Sequence, residues 1–239
     1  MRMVTTGIQG LDAHFSGGIP TGSTVLCISE PSNAPYLFCE QFASGGLSAL
    51  ETVYYYNLER PKVEVVERLR GLLPKQEVLK NLQYFDCYSV KLRDLNPATM
   101  KKLGIENHAV KVNEDVVARL LHQPKDTPFR VVVESVTEAI QAYGLEPTMQ
   151  MLQTLTGMVR MMNGVALIML VKGLQDPAID MRIRHMVDGV IEFGVERQGF
   201  GLYSYLTVSK MRGVQDATRL LLYKETDKGL WLESTRRVF

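Results

Sequence analysis

The chain has 239 residues, of which 46% are hydrophobic and 22% are charged, and its formal net charge is +1. A chain of this length can bury a sizeable core, and the composition is ordinary for a globular protein in water. The small net charge excludes a bulk electrostatic attraction to nucleic acid or to a membrane surface, although it is compatible with a local basic face. The longest apolar run, residues 165–171, is far shorter than the roughly 20 residues of a membrane span. We therefore expect a cytoplasmic protein without a membrane span.

The three cysteines, Cys27, Cys39 and Cys87, show no C-x-x-C spacing and leave one cysteine over after any pairing. This usage is typical of reduced thiols in an intracellular protein. Cys27 also lies inside a β-branched apolar run, and free cysteine is among the most often buried residue types. We therefore predict reduced thiols in the core. The four histidines are scattered without metal-ligand spacing, which argues against a zinc site.

Predicted strands and helices alternate from residue 24 to residue 171. Apolar, β-branched runs predict strands, whereas apolar residues near a 3.6-residue period, with Pro35, Pro61 and Pro147 in first turns, predict helices. The predicted strands are 24–28, 52–58, 82–88, 129–133 and 165–171, and the predicted helices are 35–47, 61–72, 113–122 and 147–163. This alternation is typical of an α/β fold in which helices cover both faces of a mostly parallel sheet.

The pattern changes after Asp188. Short turns containing glycine or aspartate separate four alternating runs, at 190–195, 203–210, 220–224 and 230–233. Such spacing predicts antiparallel strands, which we expect to extend the C-terminal end of the same sheet. The sequence contains neither a low-complexity linker nor an internal repeat. We therefore predict a single domain over residues 1–239.

Residues 24–42 combine a strand, a turn-rich loop and a helix, which is the layout of a phosphate-binding loop. In such a loop, backbone N–H groups and the N-terminus of the helix hold the phosphates. The pattern G-x-x-x-x-G-K-[ST] is nevertheless absent, because its four defining positions fall on Ser29, Ala34, Pro35 and Tyr36. The segment therefore has the layout of a nucleotide site without the residues that contact phosphate.

Three groups of residues, spread over nearly the whole chain, carry a family resemblance. The first is Thr6-Gly-Ile-x-Gly-Leu-Asp12 with Gly17-Gly-Ile-Pro-x-Gly-Ser-x-Val-Leu26, at the entry to the first strand. The second is Gln41-Phe42 with Gly46-Leu47, and the third is Asp188-Gly-Val-Ile191 with Leu206-x-Val-x-Lys-x-Arg-Gly213. Together they resemble the KaiC-like ATPase branch of the RecA superfamily, which implies a RecA-like fold.

In proteins of that branch, ATP lies between neighbouring subunits of a ring or filament. The resemblance places the loop glycines, the lysine and the hydroxyl residue at Ser29, Ala34, Pro35 and Tyr36. Loss of both glycines restricts the backbone, Pro35 removes the cation that meets the phosphates, and Tyr36 replaces the Mg²⁺-binding hydroxyl by a phenol. Glu30 adds a carboxylate where a polyanion would lie. We therefore expect no cofactor, with Mg·ATP as the alternative.

The resemblance also identifies two acidic remnants of a catalytic site. Glu59-Arg60 stands where the family has two adjacent acids that orient the attacking water, so one acid is kept and the other is replaced by a base. Glu134, followed by Ser135, stands in place of the family's metal-associated aspartate. A glutamate can still hold a metal through water, and the alternative is a strand-end acid hydrogen-bonded to loop backbone.

Lys210-x-Arg212 matches the family's basic pair that acts on the neighbouring subunit's ATP. In phosphoryl transfer such an arginine stabilises the charge that develops on the γ-phosphate. Strand alternation places both side chains on one face of a strand end. The alternative is a solvated basic strand end. The half of the site that receives ATP is thus altered, whereas the half that acts in trans is retained.

These features favour a non-catalytic KaiC-like paralogue, an assembly or regulatory subunit that binds itself or a RecA/KaiC-like relative and lends it Lys210 and Arg212. An atypical, weak ATPase is the alternative from the enzyme class. A third hypothesis is a module that binds single-stranded nucleic acid in recombination or repair, although charge runs usually mark solvated faces. Its candidate contacts are Lys101, Lys102, Lys111, Arg236 and Arg237.

Overall fold

The computed structural model describes residues 2–32, 34–88, 99, 112–124, 127–198, 201–215 and 218–233. Its strands are β1 (Met3–Val4), β2 (Ile19–Pro20), β3 (Ser23–Ser29), β4 (Thr52–Asn57), β5 (Leu82–Asp86), β6 (Phe129–Glu134), β7 (Val165–Val171), β8 (Gly189–Gln198), β9 (Gly201–Met211), β10 (Arg219–Thr226) and β11 (Gly229–Leu232). Its helices are α1 (Gln9–His14), α2 (Ala34–Ser48), α3 (Lys62–Leu72), α4 (Val112–Leu121), α5 (Val136–Tyr143), α6 (Leu145–Met162) and α7 (Pro177–Met186), with a 3₁₀ turn over Gln76–Asn81.

The central sheet has the strand order β11-β10-β9-β8-β3-β7-β6-β4-β5 within the described residues. Strands β8, β3, β7, β6, β4 and β5 pair in parallel. Strands β9, β10 and β11 then continue the sheet by antiparallel pairing beyond β8. This arrangement confirms the predicted α/β fold with an antiparallel C-terminal extension. A separate two-stranded ribbon, β1–β2, precedes the sheet.

Each face of the sheet is buried under a different set of helices. Along β3, Val25 and Cys27 belong to the core on the face of α1, α2 and α3, whereas Leu26 and Ile28 belong to the core on the opposite face. This division follows from the two-residue alternation of side chains along a strand. Because both faces are covered, β3 is buried over its whole length, as predicted from its continuous apolar run.

The cysteines agree with their prediction. Cys27, Cys39 and Cys87 are buried and form no disulfide. Burial raises the pKa of the Cys27 and Cys39 thiols above their ordinary range, so both are protonated in the fold.

Three helices were not predicted from the sequence, α1, α5 and α7, and the last two have short capping signals at their start. Helix α5 is capped by Ser135, whose hydroxyl accepts a hydrogen bond from the Glu138 amide. Helix α7 is capped by Asp176 and has Pro177 in its first turn. Such caps satisfy N–H groups that have no partner inside the helix. The helix predicted over residues 113–122 is present as α4, Val112–Leu121.

The C-terminal hairpin is tied to helix α2 through one amide side chain. Gln41 donates from Nε2 to the Leu230 carbonyl at 3.1 Å, and its Oε1 accepts from the Leu230 amide at 2.6 Å. Gly229 has φ of +100°, and a Cβ there would lie 2.3 Å from Gln41 Cδ. Only glycine therefore permits this approach. The contact brings the turn between β10 and β11 next to α2.

Arg130 forms a buried ion pair beneath the start of β6. Its guanidinium is 1% exposed and donates from Nε to Glu51 at 2.6 Å. The Nη1 group donates to the carbonyls of Thr5 at 2.7 Å and Phe42 at 2.8 Å. Burial lowers the pKa of Arg130, and the Glu51 carboxylate opposes that shift. Arg130 thus joins the N-terminal segment, α2 and the sheet.

Replacing Arg130 by methionine should lower the free energy of unfolding by about 3 to 5 kcal/mol, because it leaves the Glu51 carboxylate buried without its partner. Urea titration measures this value. The double variant Arg130→Met/Glu51→Gln should recover part of the loss.

The matched surface control is Arg182→Ala, which breaks an exposed ion pair with Glu146 and should cost less than about 1 kcal/mol. A loss for Arg130→Met no larger than that of the control would contradict the role given to the buried pair.

Candidate functional site

The carboxyl ends of three parallel strands meet at one edge of the sheet. Strand β3 ends at Ser29, β4 ends at Asn57 and β6 ends at Glu134. In α/β sheets, ligands bind at this edge, in the crevice beyond the strand ends. The chain turns from Ser29 into helix α2, which begins at Ala34. The predicted strand, loop and helix are therefore present, and the acidic residues Glu59 and Glu134 lie at the same edge as the loop.

The four loop positions singled out from the sequence are largely buried. Ser29 is 5% exposed, and Ala34 and Pro35 lie in the buried first turn of α2. Tyr36 is half-buried, and the guanidinium carbon of Arg60 lies 4.6 Å from its ring centre. Burial, together with the negative charges of Glu59 and Glu134, raises the pKa of the Tyr36 phenol to about 12. The phenol is therefore neutral and is covered by a cation.

Arg60 is the central cation of this edge. It donates from Nε to Glu134 Oε1 at 2.8 Å and from its second terminal nitrogen to Glu134 Oε2 at 3.2 Å. Its other terminal nitrogen donates to Glu40 at 2.9 Å and to Glu64 at 3.2 Å. The side chains of Glu134 and Glu40 are 0% exposed, and that of Arg60 is 15% exposed. A two-point contact between guanidinium and carboxylate is the strongest common form of ion pair.

The buried Glu134 carboxylate accepts hydrogen bonds on both of its oxygens. The Tyr55 hydroxyl donates to its Oε2 atom, and Arg60 binds both of its oxygens. Burial raises the pKa of the Glu134 carboxyl group, and the positive charge of Arg60 opposes that shift. In turn, the carboxylates raise the pKa of Arg60. A metal ion and the Arg60 guanidinium are both positively charged. A metal ion could therefore bind these oxygens only by displacing Arg60.

Glu59 lies beside this ion pair and is held in place by local hydrogen bonds. The Asn57 side chain accepts from the amides of Glu59 at 2.9 Å and Arg60 at 3.1 Å, which orders the turn after β4. The Ser135 hydroxyl donates to Glu59 Oε1 at 2.5 Å. The two acidic remnants are therefore linked in both directions. Arg60, which follows Glu59, binds Glu134, and Ser135, which follows Glu134, binds Glu59.

A cavity of about 480 Å³ opens next to Tyr36 and Arg60, between helices α2 and α3 and the turn after β10. Its charged lining has more acid than base. The carboxylates are Glu40, Glu64, Glu225 and Asp227, and the guanidinium groups are Arg60 and Arg68. Arg68 also binds the buried Glu40, at 3.2 Å. The field in this cavity thus opposes the entry of a polyanion.

Lys210 and Arg212 lie at the opposite edge of the sheet. Strand β9 ends at Met211, which pairs with Gly189 at the beginning of β8. The Lys210 ammonium donates to backbone carbonyls at the end of α7, including Val187 at 2.5 Å. Arg212 donates to Asp188 at 2.7 Å and to the Gly22 carbonyl at 2.9 Å. Within one chain, this pair is therefore separate from the loop that begins at Ser29.

Sequence reasoning did not identify Arg60, Glu40 and Arg68 as a connected group. The only signal was the basic residue next to Glu59, where the family resemblance places a second acid. Glu40 and Glu134 are 94 positions apart, so no local pattern links them. The lysines and arginines proposed as nucleic-acid contacts, residues 101, 102, 111, 236 and 237, lie outside the described residues.

The described part of the chain contains no group of three or more His, Cys, Asp or Glu residues that could hold a metal ion. None of its helices has the length and apolar character needed to cross a membrane.

Comparison with known proteins identifies the class to which this fold and site belong. The family model described as "ATPase: KaiC" matches residues 4–235, which is nearly the whole chain. The chain therefore belongs to the KaiC-like ATPase family, within the RecA superfamily. This result confirms the resemblance found in the sequence.

Relatives and solved structures agree with that assignment. A UPF0273 protein of Thermotoga maritima is 26% identical, covering 96% of this chain and 95% of the relative, and one of Methanopyrus kandleri is 27% identical, covering 96% and 91%. A KaiC-like protein of Pyrococcus horikoshii has a TM-score of 0.69 at 19% identity, covering 97% of this chain and 99% of that one. The flagellar accessory protein FlaH of Methanocaldococcus jannaschii has a TM-score of 0.72 at 15% identity, covering 98% and 100%. These two structures show the shared fold.

Replacing Arg60 by methionine should destabilise the protein in a pH-dependent way. Burial raises the pKa of Glu134 above its ordinary value of 4.5, and without Arg60 the main opposing charge is lost, which leaves the weaker effect of the Tyr55 hydrogen bond. A carboxyl group with a raised pKa in the folded state favours folding at low pH, and this contribution is lost as the pH rises through the folded-state pKa. The loss should thus grow as the pH rises above the ordinary value of 4.5, reaching about 3 kcal/mol once Glu134 is ionised in the folded variant.

Urea unfolding at several pH values measures this trend. The double variant Arg60→Met/Glu134→Gln should show a smaller and flatter loss, because the titrating carboxyl group is absent. A single-variant loss that does not change with pH would show that Arg60 does not control the charge state of Glu134.

Proposed function

We propose that this chain is a non-catalytic KaiC-like subunit, formed by one RecA-like domain over residues 1–239. It assembles with itself or with a KaiC-like relative in the cytoplasm and regulates that partner. The observation that carries the proposal is the ion pair between Arg60 and Glu134. It lies where the family resemblance places the metal-associated acid.

The ion pair supports the loss of nucleotide binding, because it uses the positive charge that a phosphate would need. A nucleotide site needs positive charge that is free to meet phosphate, supplied in this superfamily by a lysine and by Mg²⁺. At this edge the positive charge comes from Arg60, and the buried carboxylates of Glu134 and Glu40 already neutralise it. Displacing Arg60 would leave the buried Glu134 carboxylate without its cation and Glu40 with Arg68 alone, at a cost of several kcal/mol. The chain thus replaces the metal with one of its own side chains.

The loop supports the same conclusion through its backbone and its side chains. Pro35 has no N–H group, so one donor is missing from the first turn of α2, where phosphate would bind. Tyr36 occupies the following position with its ring against Arg60. The acidic excess of the adjoining cavity adds repulsion. Loop, ion pair and cavity therefore support a degenerate phosphate site that does not take up Mg·ATP.

The opposite edge supports a role in assembly. The Arg212 side chain is 39% exposed, and its guanidinium binds the buried Asp188 carboxylate just before β8. A neighbour's phosphate could replace part of that contact, because a guanidinium has five N–H donors. Lys210 instead caps the C-terminal end of α7, so its ammonium must leave three backbone carbonyls before it can reach a partner. Arg212 is for this reason the better candidate for the trans-acting role.

Calorimetry with Mg·ATP tests the loss of nucleotide binding. We expect no saturable heat at concentrations on the order of 1 mM, a range that covers the usual substrate affinities of enzymes. The same titration with EDTA present provides the control for weak, metal-independent heat. Saturable binding that requires Mg²⁺ would overturn the proposal in favour of an atypical ATPase.

Light scattering and pull-down experiments with KaiC-like relatives test the assembly role. We expect a complex, and we expect Arg212→Ala to reduce the partner's ATPase rate by about tenfold or more relative to the native complex. Lys224→Ala is the matched control, because its ion pair with Glu233 lies on the exposed edge of the C-terminal hairpin. A strictly monomeric protein that binds no relative would refute this role.

A further inference from the structure

A second cavity, of about 610 Å³, opens at the amino edge of the sheet. Its lining includes Gly22, which precedes β3, and Phe129, which begins β6. The cavity therefore lies at the opposite end of the parallel strands from the loop at Ser29. Its volume is within the range of roughly 300 to 1,000 Å³ that small-molecule sites occupy.

Three arginines give this cavity a positive charge. The lining includes Arg2, Arg160 and Arg212 and, among acidic residues, Glu51. The Glu51 carboxylate is already bound by the buried Arg130 at 2.6 Å and lies 3.8 Å from Arg2. The cavity thus has an excess of positive charge, which is the opposite of the acidic cavity beside Arg60.

Two of these arginines converge on a single atom. Arg160 donates from Nη2 to Asp188 Oδ1 at 2.6 Å, and Arg212 donates from Nε to the same oxygen at 2.7 Å. The other Asp188 oxygen accepts from the Thr24 amide at 3.0 Å, which fixes the carboxylate. One carboxylate therefore holds two guanidinium groups side by side, and it neutralises only one of the two charges.

Both guanidinium groups retain donors for a ligand. Among the described contacts, Arg160 uses one nitrogen, and Arg212 uses Nε and one terminal nitrogen. Their side chains are 55% and 39% exposed, so solvent reaches them. Paired guanidinium forks match the oxygens of a phosphate group, which can accept several charge-assisted hydrogen bonds at once.

We propose that this cavity binds a small phosphorylated molecule with an apolar portion. The phosphate contacts Arg160 and Arg212, and Arg2 at the rim adds a third positive charge. The apolar portion lies against Val4, Met162 and Phe129, which line the same cavity. The site belongs to a single chain and is independent of the proposed loss of nucleotide binding at the carboxyl edge, because the two cavities share no lining residue.

Calorimetry at low ionic strength, with phenyl phosphate and inorganic phosphate as probes, tests the site. We expect one phenyl phosphate per chain, bound about tenfold more tightly than inorganic phosphate because its ring buries apolar surface. Arg160→Ala should weaken the binding of phenyl phosphate about tenfold through the lost charge-assisted hydrogen bonds. Arg160→Lys should restore part of it.

Two control variants locate the bound probe. Arg182→Ala removes an arginine of similar exposure on α7, and Arg68→Ala removes a 37% exposed arginine from the other cavity. Neither should change the affinity for phenyl phosphate. Circular dichroism confirms that each variant folds, and Arg2→Ala is a second test that leaves the hydrogen bonds of Asp188 intact.

Three results would overturn the proposal. The first is no binding of phenyl phosphate at concentrations up to about 10 mM, which corresponds to a negligible affinity. The second is unchanged binding in folded Arg160→Ala and Arg2→Ala variants, or its loss in a folded Arg68→Ala variant. The third is binding that occurs only when light scattering detects a dimer, because the anion would then bridge two chains.

Discussion

The charge of one buried carboxylate determines what the carboxyl edge of this sheet can do. Glu134 ends a strand that is covered on both faces, and its side chain has no access to solvent. A buried carboxylate requires a nearby cation. In an active RecA-like site a metal ion can satisfy this requirement. Arg60 satisfies it here from the turn after the neighbouring strand β4.

The same requirement recurs at two further carboxylates, and each is met by arginine. Glu51 is paired with the buried Arg130, and Asp188 is bound by Arg160 and Arg212. The three sites differ in how far their arginine side chains are exposed to solvent. The arginines at Glu51 and Glu134 are nearly enclosed, whereas those at Asp188 are open to solvent. The enclosed pair at Glu134 therefore fills its place at the carboxyl edge, whereas the arginines at Asp188 present donors to solvent at the amino edge.

The fold was predictable because local sequence patterns determine its strands and helices. The ion pairs of the candidate site were not predictable, because they join residues far apart in sequence. Continuous apolar runs such as Val165–Val171 identify central parallel strands, and the alternation after Asp188 identifies the antiparallel ones. Arg60 shows the limit of this approach. Its neighbour Glu64 is four positions away, but its main partner Glu134 is 74 positions away. Only the parallel pairing of β4 with β6 brings the two together. Ser29, Ala34, Pro35 and Tyr36 could be located from the sequence, and their loss of phosphate contacts stays a prediction.

The two edges carry opposite charge, and this asymmetry connects the two proposals. The carboxyl edge presents Glu225 and Asp227 beside its cavity, whereas the amino edge presents arginines. Head-to-tail association of such a chain would bring unlike charges together, which favours a heterologous interface over one made of two identical surfaces. A phosphorylated molecule bound between Arg160 and Arg212 would reduce the positive charge at that interface. Ligand binding and assembly would then be coupled, and thermodynamic linkage requires each to weaken the other by the same factor.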